Sequence, residues 1–264
     1  MKLGVQIYGS TPEFRKDPEA FFARLSKAGY TEIEPCAALA MTAEQLRAAG
    51  VNPIWLPEEM PVFKKMMEKY GLELISCHIF GGPKADADKA VALATENGLK
   101  HIVVNCPKCE NADDFAAFAE DCVFLADKLS AVGVELWIHN SFPEIRAKVN
   151  GETALEYILK RCGGKVGTQI DVGWVLFGGE DPMEYLEKVK PYLTCIHYKD
   201  ICKEYAEITR GGKLHVPLGK GAVDWRAVKA YADANQLPEI IDQDLSYGDF
   251  LKDLTETAEL LKNA

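Results

Sequence analysis

Three things are missing from this chain of 264 residues: a cluster of basic side chains, a long apolar run, and a cysteine spacing that would frame disulfides or zinc. Lys and Arg number 30 against 40 Asp and Glu, for a formal net charge of −10, and no stretch gathers the cations. A nucleic-acid groove or an anionic membrane surface needs clustered Lys and Arg, so neither partner is expected. No apolar run approaches the roughly 20 residues of a membrane span. The opening Met1-Lys2-Leu3-Gly4-Val5-Gln6 has none of the charged, apolar and cleavage regions of a signal peptide, so a cytoplasmic location is expected. Most of the eight cysteines sit inside apolar strand-like runs, where free thiols behave as small buried hydrophobes. The one CxxC, Cys106-Pro107-Lys108-Cys109, lacks the second ligand pair of a structural zinc and the helix-start context of a thioredoxin-type pair. No linker rich in Pro, Gly or Ser divides the chain. Residues 1–264 are therefore expected to form one domain.

What is present is a repeated alternation. Short apolar runs at Leu3–Tyr8, Glu32–Pro35, Glu73–Ile79, His101–Asn105, Glu135–His139, Gly167–Asp171, Thr194–Tyr198 and Glu239–Asp242 read as eight strands. Between them lie amphipathic stretches with helical spacing: Asp17–Ala28, Thr42–Ala49 with Glu59–Tyr70, Ala85–Asn97, Ala112–Val132, Glu152–Arg161, Pro182–Lys190 and Trp225–Asn235, with Phe250–Lys262 closing the set. Gly29, Gly71, Gly98 and Gly133 follow helical stretches and suit C-caps, while Thr42 and Asp181 suit N-terminal starts. Strict alternation implies parallel strands joined by right-handed crossovers. Eight such strands predict a single (β/α)8 TIM barrel of the α/β class. The longest irregular stretch, Ile201 to Val223, follows the seventh strand and is a lid candidate.

Active sites of this architecture form at the C-terminal ends of the strands. The last four strands here end in His139, Asp171, His197 and Asp242. Any one of them alone reads as a hydrogen-bonded core residue. Four on consecutive strands at one mouth point instead to a divalent cation, because buried imidazoles and carboxylates need a partner. The mixed donor set suits Mn, Zn, Co or Fe.

The segments Leu3–Tyr8, Ile138-His139-Asn140 with Phe142 and Glu144, Ile170–Trp174, Ile196–Asp200, Val216–Gly221 with Asp224-Trp225, and Asp242-Gln243-Asp244 carry a further signal. In this order and spacing the chain resembles the xylose-isomerase-like barrels grouped as sugar phosphate isomerases/epimerases, which include ketose 3-epimerases and inosose dehydratases. The resemblance implies one divalent metal, Mn above all with Zn, Co, Fe or Mg as alternatives, and a small carbohydrate substrate. It places Asp171 and His197 directly on ligand positions. His139 and Asp242 stand where most members carry the two glutamates that 3-epimerases use as paired acid and base. Trp174 and Lys203 stand where those epimerases carry a substrate-binding His and an Arg. Barrels of this kind often pair, so a homo-oligomer is an open expectation.

The expected chemistry is proton abstraction next to a metal-polarised carbonyl. Asp242, His139 and Glu144 are the acid/base candidates. His78, Trp174, Lys199, Lys203 and Tyr8 are the substrate-binding candidates, although Lys199 beside Asp200 also reads as a structural ion pair. Glu34 is a further candidate acceptor for a substrate hydroxyl. The loop group Arg210, Gly211, Gly212, Lys213 and His215 reads first as solvated and second as an anion site. His101, at the start of its strand, belongs to the opposite mouth. Isomerisation or epimerisation leads. A lyase or dehydratase acting on a keto-inositol or 3-keto-glycoside is the alternative, a metal-dependent nuclease is disfavoured by the acidic charge and the missing ligand residues, and a decayed sugar-binding barrel is the non-enzymatic reading.

Overall fold

Runs of apolar residues too short for helices must pair side by side, and amphipathic stretches between them must cover the outer face of the sheet. The computed structural model, which describes residues 2–48, 55–207 and 213–264, has this arrangement. The strands are β1 (Gly4–Gln6), β2 in two segments (Glu32–Glu34 and Cys36–Ala38), β3 in two segments (Glu73–Leu74 and Cys77–Phe80) and β4 (His101–Asn105). They continue with β5 (Glu135–His139), β6 (Gly167–Asp171), β7 (Leu193–Tyr198) and β8 (Glu239–Asp242). Every neighbouring pair is parallel, from β3–β4 round to β8–β1 and β1–β2.

Closure happens at the split strands. Glu32 pairs with Glu73 below the break, and Cys36 pairs with His78 above it. Pro35 has no N–H to give to the ladder, but its carbonyl accepts the His78 N–H at 2.9 Å. The sheet thus closes on itself as a single α/β TIM barrel.

The helices are α1 (Thr11–Lys16), α2 (Pro18–Ala28), α3 (Ala43–Ala48), α4 (Met60–Lys69), α5 (Ala87–Asn97) and α6 (Ala112–Ser130). After them come α7 (Phe142–Arg146), α8 (Ala154–Arg161), α9 (Val172–Gly178), α10 (Pro182–Val189), α11 (Trp225–Asn235) and α12 (Phe250–Lys262). The expected end of α3 at Ala49 lies outside the described residues. The four capping glycines all adopt positive φ, as expected for left-handed helix ends. Short helices α1, α7 and α9 are additions to the expected pattern, since fewer than two full turns leave no periodicity to read. No described helix is long and apolar enough to cross a membrane.

Two cores result. One lies between the strands and the helices. The other fills the barrel itself, where Ile75, Val103, Trp137, Cys195 and Ile240 form an apolar floor from five strands. His101 stacks on Trp137 at 3.9 Å and bonds the Ile75 carbonyl, so it belongs to the closed, lower end.

Candidate metal centre

Alternate residues of a strand face the same side. Two residues above the floor, each strand therefore presents a second inward side chain. Above Trp137 comes His139; above Cys195 comes His197, and above Ile240 comes Asp242. Asp171 stands two residues past the inward Gln169. All four are buried, and their ligand atoms lie within 4.8 Å of one another. His139 Nε2 is 3.7 Å from both Asp171 Oδ2 and Asp242 Oδ2, while His197 Nδ1 is 3.2 Å from Asp242 Oδ2. Ligand bonds of about 2.0–2.2 Å put donors about 3–4.4 Å apart, so the set needs only small side-chain adjustments to hold a cation. His139 Nε2 and Asp242 Oδ1 are buried without a hydrogen-bond partner, which is what unused ligand atoms look like. The residues fit a divalent ion.

A ring of polar side chains holds these donors from behind. Glu34 is fully buried, with Oε1 2.9 Å from His197 Nε2 and 3.0 Å from His78 Nε2. Its Oε2 accepts from Ser76 and from the Gln169 amide. Burial works to raise the Glu34 carboxyl, yet His78 and His197 outweigh it and hold it well below the usual range. The Asn105 amide bridges His78 Nδ1 at 3.1 Å and His139 Nδ1 at 3.0 Å. The structure turns the Asn105 Nδ2 to His139 Nδ1 and its Oδ1 to His78 Nδ1; exchanging the amide's oxygen and nitrogen, which are alike in shape, would put the proton on His139 Nδ1 and leave the Nε2 lone pair to the centre. A ligand imidazole held through its second nitrogen in this way keeps its tautomer and orientation.

Burial pushes His139 down to about 4, so it is a neutral donor at neutral pH. His197 behaves oppositely. Burial lowers it, but Glu34 and Asp242 prevail and raise it to about 9. A cation bound at Nδ1 has to displace that proton. For Asp242, burial is outweighed by Lys199, His197 and His139, and the carboxyl stays well below the usual range.

Lys199, two residues beyond His197, reaches the centre from above. Its buried ammonium lies 3.0 Å from Asp171 Oδ2, 2.7 Å from Asp242 Oδ2 and 2.9 Å from Asp244 Oδ2, and 5.3 Å from the centre of the Trp174 ring. The ion pair expected with Asp200 is not formed. Asp200 faces away and accepts backbone N–H groups of Ile201, Gly219, Gly221 and Val223, because the next residue along a strand points to the opposite side. Asp244, which no single motif singled out, was findable by the same count of two from Asp242. Burial brings its carboxyl up to about 6 against the pull of Lys199.

Above the donors opens a cavity of about 520 Å³ lined by Tyr8, His78, His139, Trp174, Lys199 and Asp242 among others. Of the expected substrate-binding residues it gathers Tyr8, His78, Trp174 and Lys199. Both ring nitrogens of His78 are already taken, so it presents only ring carbon to the cavity. Lys203 does not line the cavity and is exposed on the loop after β7. Glu144 is not on the wall either. Its carboxylate accepts the Ser141 N–H at 2.7 Å and closes the capping box of α7, and burial pushes it up to about 7. Glu34 lies beneath the centre rather than in the cavity, since its strand turns it to the same inner level as His197. His215 is buried edge-on against Trp174 at 5.5 Å and not solvated. Arg210, Gly211 and Gly212 lie outside the described residues. Cys106 and Cys109 are free thiols with sulfurs 3.8 Å apart.

The chain belongs to the xylose isomerase-like TIM barrel family, whose profile matches residues 22–242. No curated protein sequence matches it. Among solved structures it is similar to a sugar phosphate isomerase/epimerase from Parabacteroides distasonis ATCC 8503, with 21% identity, a TM-score of 0.78, and coverage of 100% of this chain and 94% of that one. It is also similar to the IolI protein with a bound zinc atom, at 15% identity and a TM-score of 0.68, covering 99% and 96%. A third is the D-psicose 3-epimerase with D-tagatose from Clostridium cellulolyticum H10, at 12% identity and a TM-score of 0.69, covering 100% and 97%. Identities this low establish the shared fold.

Proposed function

We propose that the chain is a metal-dependent isomerase or epimerase of a small sugar or sugar derivative. The observation that carries this reading is the convergence of His139, Asp171, His197 and Asp242 from four consecutive strands beneath one cavity. Manganese is the expected ion, with zinc, cobalt, iron or magnesium as alternatives. Such an ion supplies positive charge that polarises a carbonyl and acidifies the C–H beside it. Asp242, whose Oδ1 has no hydrogen-bond partner, is the base placed to take that proton. His139, on the other side of the cluster, is the second acid/base candidate, a role open to it only while its Nε2 does not hold the ion. Lys199 is positioned to donate a hydrogen bond to the substrate oxygen that gains charge. Asp244, against the Lys199 ammonium and partly open to the cavity, links that pair to solvent. Trp174 and Tyr8 offer ring faces to a sugar.

The unequal pair, a carboxylate in Asp242 and an imidazole in His139, also supports β-elimination, in which the group removing the proton is not the one assisting departure. Product analysis in deuterated water separates the two. Both reactions exchange deuterium into a keto-sugar, and only a lyase releases water or an aglycone. The deciding experiment is the metal content of the purified protein beside His139→Ala and Asp171→Ala. About one equivalent in wild type and a clear loss in both variants is expected. Equal trace metal in all three would sink the reading in favour of a sugar-binding barrel without a centre.

A further inference from the structure

The cavity has two unlike sectors. From β4 round to β8 the lining is Asn105, His139, Ser141, Lys199, Asp242 and Asp244, with Trp174 as its one apolar side chain. Across the mouth, Tyr8 after β1, Phe80 at the end of β3 and Leu245 after β8 form an apolar wall beside Gln6, Cys36 and His78. Tyr8 and Phe80 lie nearly parallel, with ring centres 6.2 Å apart and 15° between planes. Phe80 remains 38% exposed and Leu245 50% exposed. Half-exposed apolar side chains lining a cavity cost solvation unless a ligand covers them. The charge pattern is equally specific. Among the described lining residues Lys199 is the one Lys or Arg, and three carboxylates already surround it. Among the described residues no second cation lines the cavity to receive a phosphate, and Asp242 and Asp244 repel one.

We infer that the substrate is an unphosphorylated sugar bearing a flat apolar substituent, such as an aryl glycoside, with the substituent resting on Tyr8, Phe80 and Leu245. The inference builds on the proposed function, because the donor cluster is what orients the sugar end. A free monosaccharide leaves the apolar wall uncovered. The test is calorimetric titration of the metal-loaded full chain with glucose, glucose 6-phosphate and phenyl β-D-glucoside. The glucoside is expected to bind at least ten-fold more tightly than glucose, and the phosphate no more tightly. Phe80→Ser and Leu245→Ser should each reduce the glucoside preference several-fold and leave glucose binding in place. Equal binding of all three probes, tighter binding of the phosphate, or an unchanged preference in both variants overturns the inference. So does a wild-type dimer that the variants convert to monomer without changing that preference, since a second copy would then cover the wall. Metal content is measured on the same samples. A glucoside preference in protein that holds no metal would retain the apolar wall and remove the metal reading, so the two failures are distinct.

Discussion

Glu34 shows how much a residue that touches no substrate can decide. It sits at 0% exposure beneath the donor cluster and faces His78 and His197 with one oxygen. Glu34→Gln keeps the shape and removes the charge that orients His197. Under the proposed metal reading, affinity should fall about 10–100-fold while the four candidate donors stay in place. Competition with a chelating dye reads this directly, and an affinity equal to wild type would show that Glu34 has no part in holding the ligand. Glu144 teaches the opposite lesson. Its carboxyl titrates near 7 in the folded chain because burial disfavours its charge. Folding stability from this group is therefore greatest below the unfolded value near 4.5 and is lost as pH rises through 7. The shift corresponds to about 3 kcal/mol by pH 8. Glu144→Gln should gain stability relative to wild type at pH 8 over pH 5, as read from urea midpoints. A pH-independent difference would rule the burial argument out. The segment Ser141-Phe142-Pro143-Glu144 is an S-x-x-E capping box with proline near the helix start. That signature was legible, and it explains Glu144 better than a catalytic role does.

Among the elements, the segment after β7 is organised by one side chain. Asp200 accepts from Gly219 and Gly221 at 2.9 Å and from Val223 at 3.1 Å, which ties the far end of the expected lid back to the strand. Gly221 is required there, as a Cβ would lie 2.1 Å from Asp200 Oδ1. Asp200 and Ile201 also form a two-residue ladder with His215 and Val216. Asp200→Ala strands two buried and two part-buried N–H groups and should cost about 2–4 kcal/mol. Limited proteolysis should then cut between 202 and 224 faster than in wild type. Unchanged cleavage would mean that the ladder alone holds the segment. This loop carries His215 onto Trp174 and thereby shapes one side of the cavity.

For the whole molecule, barrel closure is the event on which the rest depends. The pairs that seal it join β1 to β8, and the lower and upper segments of β2 to those of β3. A chain built this way, with no linker, is proposed to unfold as one domain. Circular dichroism and tryptophan fluorescence should trace the same single urea transition, and two separated transitions would divide the chain. Closure also concentrates charge. Glu34, Asp171, Asp242 and Asp244 converge on one small volume opposite Lys199 and the histidines. A divalent cation is expected to stabilise such a site by mass action. Chelator treatment should lower the melting temperature, and addition of manganese should restore it; a melting temperature indifferent to both would speak against the centre.

The order of elements was readable from local pattern alone. The bounds of β4, β5, β6, β8, α11 and α12 match the expected ones, because hydrophobic period and capping residues act over a few neighbours. Their place at the C-terminal ends of four consecutive strands made His139, Asp171, His197 and Asp242 legible as a group at one mouth. What local pattern cannot hold is the contact across the barrel. Gln169 meets Glu34 over 135 residues, and Lys199 chooses Asp171, Asp242 and Asp244 over its chain neighbour Asp200. Sequence by itself determined which side chains face inward. Only the closed barrel decided which of them meet, because closure brings strands far apart in the chain to one axis and gives each buried charge its partners.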